Sequence, residues 1–185
     1  MRWSFRRAAV AAAAFIALAG CASSRNLGDN VDDLSANAQL KAVLFADRKH
    51  DYSDIDLTIY GGRLMLTGTM LTEEGRRRLL DNAGKASGVE EVIDEVLVAD
   101  HTSRGQGLED SWIDQSIRAR LLTSDNVTSA NYKMSVSRGV VYLLGVARDE
   151  KELTKALEIA RSTGGVETVV SHVIYFQSPP PAPAN

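Results

Sequence analysis

The sequence predicts an α+β protein built from two tandem αββαβ domains, each a three-stranded mixed sheet with two helices on one face. Three observations predict it. The halves of the 185-residue chain superimpose without a gap at one constant offset, which takes Gly62 to Gly139, Gly68 to Gly145, Leu66 to Leu143 and Ala83 to Ala160. A register kept over that distance marks an internal repeat. Each half then runs through helical apolar spacing, strict alternation and helical spacing again, and matched glycines punctuate both.

The copies are read as 33–100 and 110–177. Each opens with an apolar stripe at helical spacing, Leu40, Val43 and Leu44 in the first and Ile113, Ile117 and Leu121 in the second. Alternation follows. Ile55, Leu57 and Ile59 share one face of a strand, Gly61-Gly62 makes the turn, and Leu64 and Leu66 resume the pattern, which together read as a β-hairpin. Met134, Val136, Arg138-Gly139, Val141 and Leu143 repeat it. Gly68 and Gly145 end the second strands, and Thr72 and Asp149, each followed by glutamate, are N-caps for a second helix running to Gly88 or Gly165. A last strand lies within 89–98 or 166–175. Because a helix separates it from the strand before, it pairs in parallel and makes the sheet mixed. Residues 101–109 hold Gly105 and Gly107 without apolar periodicity and read as a short flexible link. Domains of this length are marginal alone, so contact between the copies is expected to add stability.

Before the repeat, Arg2, Arg6 and Arg7 precede an apolar run too short to span a bilayer, the layout of a cleavable signal segment over 1–20. The run ends in Leu18-Ala19-Gly20-Cys21, which resembles the lipobox of bacterial lipoproteins. That resemblance implies cleavage before Cys21, acyl chains on its sulfur and new amino terminus, and a polar tether over 21–32. Several acyl chains give stable anchoring where one does not. Ala22 stands where an aspartate would resemble an inner-membrane retention signal, so the outer membrane is expected. Cys21 is the only cysteine, which leaves no disulfide to stabilise the fold.

The αββαβ order, the strand-ending glycine of "LMLTG" and "VYLLG", and the "GV" before each last strand resemble the BON domain. "SWIDQSIRARLLTSDNV" and "GGVETVVSHVIYF" resemble the second domain of the dual-BON outer-membrane lipoproteins of Gram-negative bacteria. The resemblance implies a periplasm-facing, non-enzymatic protein on the inner leaflet of the outer membrane, binding anionic phospholipid through its second domain and supporting envelope integrity, often at the division site. It implies no cofactor beyond the acyl chains on Cys21. The chain departs from the pattern in Pro179-Pro180-Pro181, within a Pro-rich tail over 178–185 that reads as disordered.

Charge argues in the same direction. The formal net charge of -3 becomes -6 once the three leader arginines are removed, which disfavours nucleic acid as a partner. Residues 33–100 carry net -5, whereas 110–177 carry 8 acids and 8 bases, so the second copy is the one able to approach an anionic surface. Arg76-Arg77-Arg78 sit among Glu73, Glu74 and Asp81 and read as a solvated helix face with intrahelical pairs.

On the first helix of the second copy, Trp112 points well over a right angle from the buried stripe and shares its side with Gln115, Ala119 and Leu122, with Arg118 flanking. Tryptophan and leucine beside arginine suit a membrane interface, and equally a ring packed on the other domain or the link. The resemblance selects the first reading. Trp112, Leu122 and Arg118 are then the membrane and phospholipid contacts, with Arg120, nearer the buried stripe, contributing less. His50, His101 and His172 show no spacing to one another or to paired carboxylates, so no catalytic or metal site is expected, and each reads as a surface or edge residue. The alternative to lipid binding is an envelope scaffold that binds a protein partner.

Overall fold

The structure is a computed structural model that describes residues 37–43, 47, 49–100 and 107–176. Cys21, Leu44, His101, the leader, the tether and the Pro-rich tail lie outside the described residues. The first copy runs α1 (37–43), β1 (Ile55–Tyr60), β2 (Arg63–Met70), α2 (Glu73–Ala83), β3 (Glu91–Val98). The second runs α3 (Gly107–Leu122), a 3-10 turn (Ser129–Asn131), β4 (Tyr132–Ser137), β5 (Val140–Ala147), α4 (Glu150–Arg161), β6 (Thr168–Tyr175). In each sheet the central strand pairs antiparallel with its hairpin partner and parallel with the last strand. The α+β class and the mixed three-stranded sheets are as the sequence predicts.

Local chemistry accounts for the element ends. Thr72 Oγ1 accepts from Gly75 N–H at 3.1 Å and Asp149 Oδ1 from Glu152 N–H at 2.9 Å, each satisfying a free donor of a first helical turn. Both hairpins turn through two residues of positive φ, Gly61 and Gly62 in one, Arg138 and Gly139 in the other. Gly68 and Gly145 serve a different need: a Cβ at either would collide with the carbonyl oxygen of Asp54 or Asn131.

Several details depart from the sequence reading. The helices end at Ala83 and Arg161, and Gly88 and Gly165, both at positive φ, close the turns that follow. Val43, expected on the buried stripe of α1, is exposed, and Leu40 alone of that stripe is shown buried. Helix α3 begins at Gly107, inside the stretch read as a link. His50 is no surface residue: its ring is packed inside and bonded through Nδ1 to Asp47, 3.2 Å away, because Asp47 also gathers Tyr52, Arg78 and the Lys49 N–H. Those bonds, the Lys49 backbone bond foremost, hold the Asp47 carboxyl well below its ordinary range against the opposing effect of burial. Arg76 pairs within its helix to Glu73 but also reaches Asp94 on β3 at 2.6 Å, and Arg78 bridges to Asp47.

Each sheet has a second buried face. Leu64, Leu66 and Met70 pack under the first copy's helices, and Val141, Leu143 and Ala147 under α3 and α4. The residues between them point the other way. Met65, Tyr60 and Ile93 meet Tyr142 and Leu144 in one shared apolar cluster, rimmed by Val140, Val146 and Val170. Thr67 and Ser135 share a buried hydroxyl hydrogen bond of 2.8 Å across this seam, and Arg63 donates through Nη1 to the His172 carbonyl at 2.7 Å. The layers are therefore helices, sheet, sheet, helices, with the copies joined back to back.

Candidate functional site

Helix α3 carries apolar residues on two opposite faces. Ile113, Ile117 and Leu121 are buried against the second sheet. Opposite them stand Leu108 at 90% exposure, Trp112 at 56% and Leu122 at 74%, with exposed Gln115 and Ala119 between. The positions 108, 112, 115, 119 and 122 alternate steps of four and three, so at about 100° per residue they form one strip along the helix. That spacing was legible, but Leu108 was missed because 101–109 was read as link.

Trp112 stands beside the loop after α4. One edge of its ring lies over Gly164, where an added Cβ would come 3.7 Å from Cη2, so the loop after α4 seats that edge, and 56% of the residue is exposed. Both arginines are engaged within the second copy, Arg118 beside the strip and Arg120 nearer the buried stripe. Arg118 lies roughly 120° round the helix from Trp112. It grips Asp114 with two bonds, of 2.6 and 2.9 Å, and donates to the Met134 carbonyl at 3.1 Å, leaving half its side chain exposed. Arg120 turns inward to the end of α4, donating to the Ile159 carbonyl at 2.9 Å, Thr163 Oγ1 at 2.6 Å and Ser162 Oγ at 2.8 Å. A cation there bonds a carbonyl of the last turn and complements the helix dipole, so Arg120 fastens α4 to α3.

A further carboxylate fixes α3. Asp110 accepts from the backbone N–H groups of Arg138 and Gly139, both at 2.9 Å, and holds the β4–β5 turn against the first turn of the helix. Between α3–β4 and the first copy runs a polar cleft of about 490 Å³, walled by Asp54, Asp56, Asp110, Asp114 and Arg118. His172, read as an edge residue, stands on the outer strand of its sheet but points into the seam, where Nε2 meets Glu95. Among the described residues no group of three or more His, Cys, Asp or Glu side chains could hold a metal ion, and no helix is long and apolar enough to cross a membrane.

Comparison with known proteins matches the BON domain twice, over 32–100 and 109–175. An uncharacterized protein in the gshII 5′ region of Anaplasma centrale is 32% identical over 145 residues, covering 77% of this chain and 94% of that one. A 21 kDa hemolysin of Actinobacillus pleuropneumoniae is 29% identical over 163 residues, covering 83% and 79%. The outer membrane lipoprotein DolP of Haemophilus influenzae is 24% identical over 170 residues, covering 91% and 88%.

Proposed function

The chain belongs to the BON-domain family as a dual-BON envelope protein of the DolP type, and on that footing we propose that it is a lipid-anchored, non-enzymatic phospholipid-binding protein of the outer membrane. Its acyl chains are carried on Cys21, it faces the periplasm from the inner leaflet, and its second copy binds anionic phospholipid in support of envelope integrity, with enrichment at the division site. The observation that carries this reading is the exposed strip Leu108, Trp112 and Leu122 on α3, opposite the stripe the helix buries. Water pays no favour to three large apolar groups on one strip, whereas the headgroup boundary accepts both the aliphatic side chains and an indole with one polar N–H.

Arg118 is the phosphate-facing group in this reading, since half its side chain remains exposed beside Asp114. Arg120 contributes through α4 rather than through lipid, because its guanidinium is already engaged by three acceptors. The second copy suits the role by charge, being net neutral where the first is net -5.

Purified residues 22–185 are expected to bind vesicles containing anionic phospholipid above the level seen with zwitterionic vesicles. Background binding to both overturns the reading. Recovery of a crosslinked envelope protein from cells in that case would identify the scaffold alternative instead.

A further inference from the structure

Strand β6 is an outer strand of its sheet, and its sequence from Thr168 to Tyr175 contains no Asp, Glu, Lys, Arg or Pro. Outer strands offer unpaired backbone groups to any other strand, and proteins blunt them with charge, proline or cover. The matched strand of the first copy is blunted in this way. β3 carries Glu91, Asp94 and Glu95. Asp94 accepts the Val96 N–H at 3.1 Å and is itself held by Arg76 at 2.6 Å, so a carboxylate pinned by a guanidinium occupies that edge donor. The repeat offset replaces Asp94 by Ser171 and Arg76 by Leu153. Among the described residues the equivalent Val173 N–H meets the Ser171 hydroxyl, at a limiting 3.4 Å.

Phe176 N–H donates to the Ala147 carbonyl on β5 at 2.8 Å. Because backbone groups alternate sides along a strand, those of Val169, Ser171, Val173 and Tyr175 face away from β5, toward the side on which no described strand pairs. In an antiparallel pair, outward-facing residues meet outward-facing residues. Pairing β6 with itself about Ser171 sets Ser171 opposite Ser171, Val169 opposite Val173, and Thr168 opposite Ile174, with no charge opposed in any register. The same pairing of β3 about its middle would set Asp94 on Asp94 or Glu95 on Glu95, which is destabilising.

We propose that β6 is a self-association edge, through which two copies of this chain pair antiparallel about Ser171 and join their second-domain sheets into one sheet of six strands. A second copy is the occupant that the charges favour. The strand is neutral and self-complementary, and its whole domain carries no net charge, so two second domains approach without the repulsion that net -5 imposes on the first. The exposed Ile174, Tyr175 and Phe176 at the end of the strand add apolar surface to the same contact.

The test uses the full chain expressed in a Gram-negative envelope, with Cys21 as its only native cysteine. Ser171→Cys should give a disulfide-linked dimer on mild oxidation of the membranes. The parent chain and Thr154→Cys, exposed on α4, should not. In detergent, the wild-type chain should sediment as a dimer and Ser171→Asp, which restores the blocking carboxylate of the first copy at an exposed position, as a folded monomer. A monomeric wild type without a Ser171→Cys dimer overturns the proposal. So does crosslinking of Ser171→Cys to a different protein, which would give the edge to a strand of another chain.

Discussion

His172 Nε2 lies 2.8 Å from Glu95 Oε1, and the two residues are 77 apart, the offset of the repeat itself. The same position of each copy therefore meets its own counterpart across the seam. Contacts of that kind mark a self-complementary, two-fold-like association, as in a homodimer, but here within one chain. Arg63 reinforces it from the first copy, bonded both to Glu91 at 2.6 Å and to the His172 carbonyl.

If the seam couples the copies, a defect in it should uncouple their unfolding. Leu144 is fully buried between the sheets, in the apolar cluster with Tyr60, Met65, Ile93 and Tyr142. Leu144→Ala is expected to cost about 2–5 kcal/mol, the usual range for emptying such a site. Leu144→Asp should go further and split one calorimetric transition into two, with faster proteolysis between the domains. A single unshifted transition for Leu144→Asp would show that the back-to-back packing contributes nothing.

Much of this architecture was legible in the sequence, and the misses have physical causes. The repeat, the hairpin turns and the caps at Thr72 and Asp149 follow from local rules that tertiary structure does not override. The second buried face was also written in the chain, because β5, Val-Val-Tyr-Leu-Leu-Gly-Val-Ala, is continuously apolar as a strand covered on both sides must be. The partners of His50, Arg76 and Arg120 were not legible. Arg76 and Arg120 bond to groups brought near only by folding, Asp94 on another strand and the Ile159 carbonyl near the end of α4, while His50 bonds to Asp47, three residues before it, whose carboxylate Tyr52 and Arg78 hold in place. The exposed strip on α3 was half legible, since Trp112 and Leu122 lie within a periodic segment and Leu108 lies at its margin.

Glu152 offers a test tied to pH. It is buried, and its carboxylate accepts the Thr128 N–H at 2.6 Å and both the N–H and the Nε of Arg148 at 2.8 Å. Burial pushes its pKa up, but these bonds together outweigh it and set the value below the ordinary 4.5. A lowered folded-state pKa gives stability that is present above the unfolded value and lost as pH falls through the folded one. Acid titration of the wild type should show that loss below about pH 4.5. Glu152→Gln, which sets an amide donor against donors, should cost roughly 1–3 kcal/mol at neutral pH and remove this part of the acid dependence. Parallel acid curves for the two proteins would refute the assignment.

Tyr132 should behave in the opposite way. Its hydroxyl is buried without a hydrogen-bond partner among the described residues, and burial raises its pKa. Removing an unsatisfied polar atom while keeping the ring recovers its desolvation cost. Tyr132→Phe is therefore expected to leave thermal stability unchanged or higher, and a clear drop in melting temperature would mean that the hydroxyl is bonded in solution.

The proposed anchor has its own test. In that reading Cys21→Ser removes the sulfur that carries the acyl chains, and headgroup contacts alone do not replace several acyl chains. The variant is expected in the soluble periplasmic fraction instead of the membrane fraction. Unchanged fractionation would transfer the anchor to the folded domains.

The α3 strip gives the most direct test of function. Trp112→Glu places a charge where the ring would sit at the headgroup boundary, and Leu108→Glu does so one turn earlier, at the most exposed of the three apolar positions. Both should sharply reduce binding to anionic vesicles. Neither should change stability by more than about 0.5 kcal/mol, the usual range for surface positions, since Trp112 and Leu108 are 56% and 90% exposed. High salt should weaken the wild type only partly, because screening removes the Arg118 attraction and leaves the apolar part intact. Arg118→Gln should reproduce the effect of salt and little more. If Trp112→Glu instead unfolds the second copy by the several kcal/mol typical of a core defect, the ring is a packing residue and the lipid face lies elsewhere. Full vesicle binding by Leu108→Glu, with Trp112→Glu impaired, would narrow the contact to the end of the helix where Trp112 meets the loop after α4.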